Sequence, residues 1–113
     1  MRTYELRVYT LRNQEALAFY VGTVHPRHLH NFHLFGVESH GVWTVKDDVA
    51  HRAFVLLSYA QGADPKEVSQ RYLQSPEAAA DARGFDVADI LGVESTILIP
   101  ATVASATDQK ETT

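Results

Sequence analysis

The chain has 113 residues, 45% of them hydrophobic and 10% aromatic, which is enough to build one domain with its own core. Ten basic residues against fourteen acidic ones give a formal charge of -4, a repulsive average field for a phosphate backbone, so nucleic acid is not an expected partner. Cysteine is absent, which excludes disulfides and thiolate chemistry and fits a reducing cytoplasm.

The opening residues, MRTYELRVYTLRNQ, lack a basic stretch followed by an apolar one, and no later apolar run approaches the roughly 18 residues of a membrane span. The expectation is a soluble, unexported, cytoplasmic protein with no membrane partner. Thr3 to Leu11 alternates Leu6 and Val8 with Glu5, Arg7 and Tyr9, the period-2 signature of a strand with two unlike faces. Leu6 and Val8 are assigned to the face under the helices, and Glu5, Arg7 and Tyr9 to the opposite, cavity-lining face.

Asn13 can cap a first helix whose apolar stripe is Leu17, Tyr20, Val21 and Val24. Pro26 has no amide proton and disfavours a helical residue before it, so this helix is expected to end or kink near His25. Pro26 then opens a short second helix, His25 to Leu34, stopped by Gly36. Val37 to Val45 and Arg52 to Ala60 read as two strands of a hairpin around Lys46 to Asp48. In Asp64-Pro65-Lys66-Glu67 a capping aspartate precedes a first-turn proline, starting a helix over Pro65 to Ala82 with a kink or restart at Ser75-Pro76-Glu77. Ile90 to Pro100, rich in β-branched residues, is the last strand. The tail 104–113 has no apolar period and is read as flexible, leaving residues 1–103 as the only domain.

The order strand, helix, strand, strand, helix, strand is the split βαβ (βαββαβ) arrangement of ferredoxin-like α+β folds, with an antiparallel four-stranded sheet. Two helices cover one face of such a sheet. A homodimer packing sheet against sheet covers the other, so the expected assembly is a dimeric α+β barrel.

The stretches YELRVYTL at 4–11, GVWT at 41–44, LLSYA at 56–60 and ESTILIPAT at 94–102 together resemble the NIPSNAP family of the dimeric α+β-barrel superfamily. The resemblance covers nearly all of residues 3–102 and is carried most specifically by Tyr4-Glu5-Leu6-Arg7 with Tyr9. It implies a ferredoxin-like protomer that forms a barrel with its twin. Relatives in the superfamily range over cofactor-free monooxygenases, isomerases, haem enzymes and binding modules. Where the family commonly has a basic, glycine-containing stretch after the first helix, this chain has HPRHLHNFH, His25 to His33.

Several groups can carry chemistry. Arg7 suits a planar clamp for an oxyanion or carboxylate, with Tyr9 as hydrogen-bond donor and Glu5 as acid or base. Glu94 shares a strand face with Thr96 and joins this patch if that face points inward. The alternative is an ion pair of Arg7 with Glu5 or Glu94 that only lines the barrel. His40, assigned to one strand face with Glu38, Val42 and Thr44, is the histidine singled out for proton transfer. Trp43, Phe54, Tyr59 and Phe35 are core or wall residues, with Trp43 and Tyr59 the candidate flat surfaces for a ring.

In the histidine run, His25 and His28 are three apart, as are His30 and His33, and the two pairs fall on different helix faces. His28 continues the stripe of Val21 and Val24 and is placed among the substrate-binding residues. His-Glu-x-x-His is absent, so a histidine-ligated metal is the lowest alternative. Pro65 to Ala82 holds no histidine at the axial position of the haem-degrading relatives, and no Gly-x-Gly-x-x-Gly follows a strand, so no cofactor is expected. The leading expectation is acid/base chemistry on a small organic molecule: isomerisation, dehydration, cyclisation or cofactor-independent oxidation. The competing one is a non-catalytic domain that binds a small ligand or a protein.

Overall fold

A computed structural model of the chain describes residues 2–101. The expected tail, 104–113, lies outside the described residues. Strand β1 covers Thr3–Leu11, and helix α1, Gln14–Phe19, begins where Asn13 accepts a hydrogen bond from the Ala16 amide at 2.8 Å. A π-helical turn, Tyr20–Val24, then joins α1 to α2, His25–Leu34.

Helix α2 has the expected bounds with Pro26 in its first turn, and a π-helical turn, not a gap, joins it to α1. The helix runs through, because widening the turn lets the His25 amide reach back five residues to the Tyr20 carbonyl. The wide turn accommodates a proline that can neither donate to nor closely approach the carbonyl four residues before it.

Strands β2, Val37–Thr44, and β3, Arg52–Tyr59, form the hairpin. Helix α3, Pro65–Leu73, is capped by Asp64, and Ser75 caps a separate helix α4, Pro76–Asp81, so the restart at Ser75-Pro76 is a full break. A 3₁₀ turn, Val87–Asp89, leads into β4, Ile90–Leu98. The sheet is antiparallel throughout in the order β2-β3-β1-β4, which is the ferredoxin-like α+β arrangement. Among the described residues no helix is long and apolar enough to cross a membrane.

Register decides which residues meet the helices. Arg7 pairs across with Val55 and Ser95, Glu5 with Leu57 and Ile97, and Tyr9 with Ala53 and Val93. Glu5, Tyr9, Leu11, Ala53, Val55 and Leu57 are all buried, and this is the face under the helices. The expected assignment of faces was therefore inverted. Leu6 and Val8, paired with Leu56 and Phe54, lie on the open face, while Glu5, Arg7 and Tyr9 point at the helices. The polar set can go inward because its members satisfy one another there.

Strand β2 also departs from simple alternation. A bulge between Ser39 and Gly41 leaves His40 without a paired residue, and Gly41 carries it at φ 140°, a conformation side chains disfavour. Glu38, Gly41 and Trp43 consequently share the open face by their pairing with Ser58, Leu56 and Phe54, whereas Val42 and Thr44 pair with Val55 and Ala53 on the helix side. The single strand face expected for Glu38, His40, Val42 and Thr44 is split by that one extra residue.

Candidate functional site

Beneath the helices, Arg7 is the centre of one polar cluster. Its Nε faces Glu5 Oε1 at 3.1 Å, and its Nη groups donate to Tyr9 at 3.2 Å, Tyr59 at 3.1 Å and Ser69 of α3 at 2.5 Å. That donates three of the five guanidinium hydrogens and adds the ion pair. Glu5 also accepts from the hydroxyls of Tyr59 and Ser95. Burial opposes ionisation of Glu5, but the bonds from Ser95 and Tyr59 and the charge of Arg7 outweigh it and hold the carboxyl below its usual range. Burial, with Glu5 adding to it and Arg7 opposing, pushes Tyr59 up to about 12. Arg7 stays charged despite burial, through Tyr9, Tyr59 and Glu5.

A second cluster ties α2, α3 and α4 together. Asp81, at 1% exposure, receives Asn31 Nδ2 on Oδ1 at 2.6 Å and the Tyr72 hydroxyl on Oδ2 at 2.5 Å. His28 Nδ1 stands 2.9 Å from the same Oδ2 and 2.7 Å from the Tyr72 oxygen. A carboxylate only accepts, and Tyr72 gives its proton to it, so the proton on this edge of the imidazole belongs to Nδ1. The unprotonated nitrogen is then Nε2. Burial draws the His28 pKa below the ordinary value against the hydrogen bond and charge of Asp81, so the ring is neutral at pH 7. Burial and the bond to Asp81 likewise hold Tyr72 far above the normal phenol range.

His28 also forms part of the wall of a cavity of about 360 Å³. Tyr9 and Tyr20 line its sheet side, Phe32 and Tyr72 flank the imidazole, and Ala78, Ala79 and Ala82 of α4 form a small-residue wall with Phe85 beyond. The ring stacks on Phe32 at 4.6 Å with planes 8° apart, which fixes its orientation from one side. Among the described residues the one buried side-chain nitrogen or oxygen without a partner is His25 Nδ1. His28 Nε2 makes no hydrogen bond to a described residue and is not among the fully buried unpartnered atoms. The arrangement offers an apolar chamber with one neutral nitrogen base.

The other expected site residues do not assemble. His40 sits on the open face, its Nε2 2.8 Å from Ser58 Oγ and its ring 5.5 Å from Tyr4. Ser58 is buried and also receives Arg2 Nε at 3.0 Å. Glu94 pairs with Val8 and lies with Thr96 on the open face of β4, so it does not join Glu5. His40 and Glu94 are on opposite edge strands, about 14 Å apart at the usual strand spacing. Trp43 is 54% exposed on the open face, while Tyr59 is buried with its hydroxyl in the Glu5 cluster.

The histidine run divides as its spacing implies. His25 and His28 turn inward, with His25 Nε2 3.1 Å from Ser39 Oγ, and His30 and His33 are exposed. Among the described residues no three histidine or carboxylate side chains gather as a metal would require. Asp81, Tyr72 and Tyr20 are the site residues that sequence reasoning passed over. Asp81 had a signal: an acidic side chain in the last turn of an Ala-rich helix, against the dipole, needs a partner elsewhere.

The NIPSNAP family model matches residues 4–105. No curated protein matches the chain. Among solved structures, a NIPSNAP family protein of unknown function from Agrobacterium tumefaciens superposes with a TM-score of 0.71 at 19% identity, covering 92% of each chain. An uncharacterised NIPSNAP domain protein from Burkholderia xenovorans gives 0.69 at 17% identity, covering 90% of this chain and 97% of that one. A Nitrosomonas europaea protein provisionally named an antibiotic biosynthesis monooxygenase gives 0.59 at 13% identity, covering 88% of this chain and 90% of that one. At these identities the superpositions speak for the fold, and the family match extends over the strands that build the Arg7 cluster and the helices that build the cavity: the chain belongs to the NIPSNAP family.

Proposed function

We propose that this chain is a small-molecule enzyme working by cofactor-independent acid/base chemistry, with the helix-side cavity as its pocket and His28 as its base. The observation that carries the reading is His28 itself, a residue of the wall of an apolar chamber, with Nδ1 held by Asp81 and Tyr72 and no described partner on Nε2. In the simplest step Nε2 takes a proton from carbon beside a substrate carbonyl, the C–H electrons move onto oxygen, and Asp81 stabilises the imidazolium. Return of the proton at a second carbon isomerises the substrate. The same base serves dehydration, cyclisation or deprotonation before a reaction with oxygen.

The developing oxyanion has a donor. Arg7 donates to the Tyr9 oxygen, and the Tyr9 ring packs 4.9 Å from that of Tyr20. The Tyr9 hydroxyl accepts from Arg7 and donates to no described residue, which leaves its proton for a ligand in the cavity. Arg7 thus acts one bond behind the pocket. The partners of Arg7 and Glu5 favour a structural role for the pair, which fastens β1 to α3 and β4.

The partner in this reading is a second copy. Leu6, Val8, Phe54, Leu56 and Trp43 leave an apolar sheet face uncovered, and face-to-face pairing of two such sheets buries it as a homodimeric barrel.

Proton exchange tests the chemistry without knowledge of the natural substrate. In D₂O at pH 7 the protein should accelerate deuterium uptake at the acidic carbons of 2-tetralone, read by proton NMR, and His28→Gln should abolish the acceleration. Equal exchange by the wild type and His28→Gln would refute the role of His28.

A further inference from the structure

The cavity wall has a composition that selects among ligands. Among the described residues that line it, none is Asp, Glu, Lys or Arg. Asp81 stands behind His28, and Arg7 behind Tyr9. Asp81 would repel an anion that reached His28. Arg7 cannot compensate, because it already faces Glu5 and donates to Tyr9, Tyr59 and Ser69. A carboxylate, phosphate or sulfate entering this chamber would lose its water and find no cationic side chain among the lining residues. This turns the expectation of an Arg7 anion clamp into its opposite.

The polar atoms that remain are complementary to a neutral hydroxyl. His28 Nε2 is an acceptor with no partner among the described residues, and the Tyr9 hydroxyl, which accepts from Arg7, keeps its own proton to donate. A ligand that gives a hydrogen bond to Nε2 satisfies an acceptor otherwise left to water. Flat apolar surface is supplied by Phe32, Tyr72 and Phe85, and the alanines of α4 leave room for a fused ring.

We infer that the cavity is a binding site for uncharged, ring-fused hydroxyl compounds of the phenol or stable-enol class, which donate to His28 Nε2, and that it rejects their carboxylate counterparts. This rests on the same cavity as the proposed function and deepens it by naming the ligand class. Binding, unlike turnover, needs no proton transfer to carbon, so the two can fail separately.

The imidazole must be neutral to accept. It is faced by Asp81 from α4, Tyr72 from α3, Tyr20 from the π-turn, His25 and Asn31 from its own helix and Arg7 from β1. Protonation of His28 would remove the acceptor, so binding should weaken on acidification.

Three probes of one shape decide the matter: 2-naphthol, 2-methoxynaphthalene and 2-naphthoate, titrated at pH 7 by isothermal calorimetry and by histidine ¹⁵N NMR. 2-Naphthol is a phenol and un-ionised at this pH. It should bind about tenfold more tightly than the methyl ether, the worth of one buried hydrogen bond, and shift the Nε2 resonance of His28. The naphthoate should bind at least tenfold more weakly than 2-naphthol. Ala79→Phe, which fills the cavity from α4, should abolish all three.

Tighter binding of 2-naphthoate with a His28 shift would overturn the ligand class and leave the cavity as the functional pocket. Equal binding of naphthol and its ether would overturn the donor role. Absence of any His28 shift, or binding that survives Ala79→Phe, would remove the cavity as the binding site and the proposed function with it.

Discussion

His28 Nδ1 lies 2.9 Å from Asp81 Oδ2, across a junction at which three helices meet. The pair joins α2 to the end of α4, and Tyr72 of α3 bonds both members. Arg27 adds donations to the carbonyls of Asp81 at 3.1 Å and Arg83 at 2.7 Å. A histidine that opens on the cavity and a carboxylate that fastens the cavity wall are therefore parts of one device.

Asp81→Ala should destabilise the fold by about 3 kcal/mol, because it strands the buried donors of His28, Asn31 and Tyr72 at once. Urea unfolding followed by circular dichroism measures this. Asp81→Asn, which keeps an acceptor oxygen, should lose less. A loss within experimental error for the alanine variant would show that α4 is not held by this carboxylate.

The Glu5 and Arg7 pair makes a contrast between single and double substitutions. Arg7→Met leaves the carboxylate of Glu5 buried without its cation and should cost roughly 3–5 kcal/mol. Adding Glu5→Leu removes the stranded charge, so the double variant should be more stable than Arg7→Met alone. A strictly additive loss would argue that the two side chains are not coupled.

Stability should fall on acidification, and His25 sets much of the window. Burial, with His28 adding, lowers its pKa from 6.5 to about 4. The unfolded chain then binds a proton that the folded chain refuses, so stability is complete above about pH 6.5 and drains away down to about pH 4. His25 contributes up to about 3 kcal/mol to that decline, and Glu5, whose pKa is also lowered, adds its share below its own ordinary range. His25→Leu should flatten the dependence between pH 6.5 and 4.5 in urea midpoints. An unchanged slope would assign the effect to other groups.

For the open sheet face, the expected wild-type species in light scattering after gel filtration is a dimer. Leu6→Lys places a charge at the centre of that face, between Leu56 and Thr96, and should give a folded monomer at micromolar concentration. A monomeric wild type, or a Leu6→Lys variant that stays dimeric, would move the interface elsewhere.

Much of the fold was legible because it rests on local chemistry. Asn13, Asp64 and Ser75 announce helix starts as hydrogen-bonding side chains, and the alternation in β1 announces a strand. Alternation says that two faces differ, but not which one meets the helices. That choice depends on Ser69, Ser95 and Tyr59 arriving from three other elements to satisfy Glu5 and Arg7, and β3 is apolar on both faces and settles nothing. The bulge at His40 is likewise a tertiary fact, and it separated a favoured catalytic histidine from Val42 and Thr44. His28 was legible as a continuation of the Val21 and Val24 stripe. Its partner was not, since Asp81 is 53 residues away and only the α3–α4 break brings it back.

The most direct measurement is the protonation state of His28, read by long-range ¹H–¹⁵N correlation of the imidazole nitrogens from pH 8 to 5. The expected result is a neutral ring with its proton on Nδ1 and a bare Nε2, titrating below the ordinary histidine value. A proton on Nε2, or an imidazolium at pH 7, would contradict the assignment of His28 as the base of the cavity.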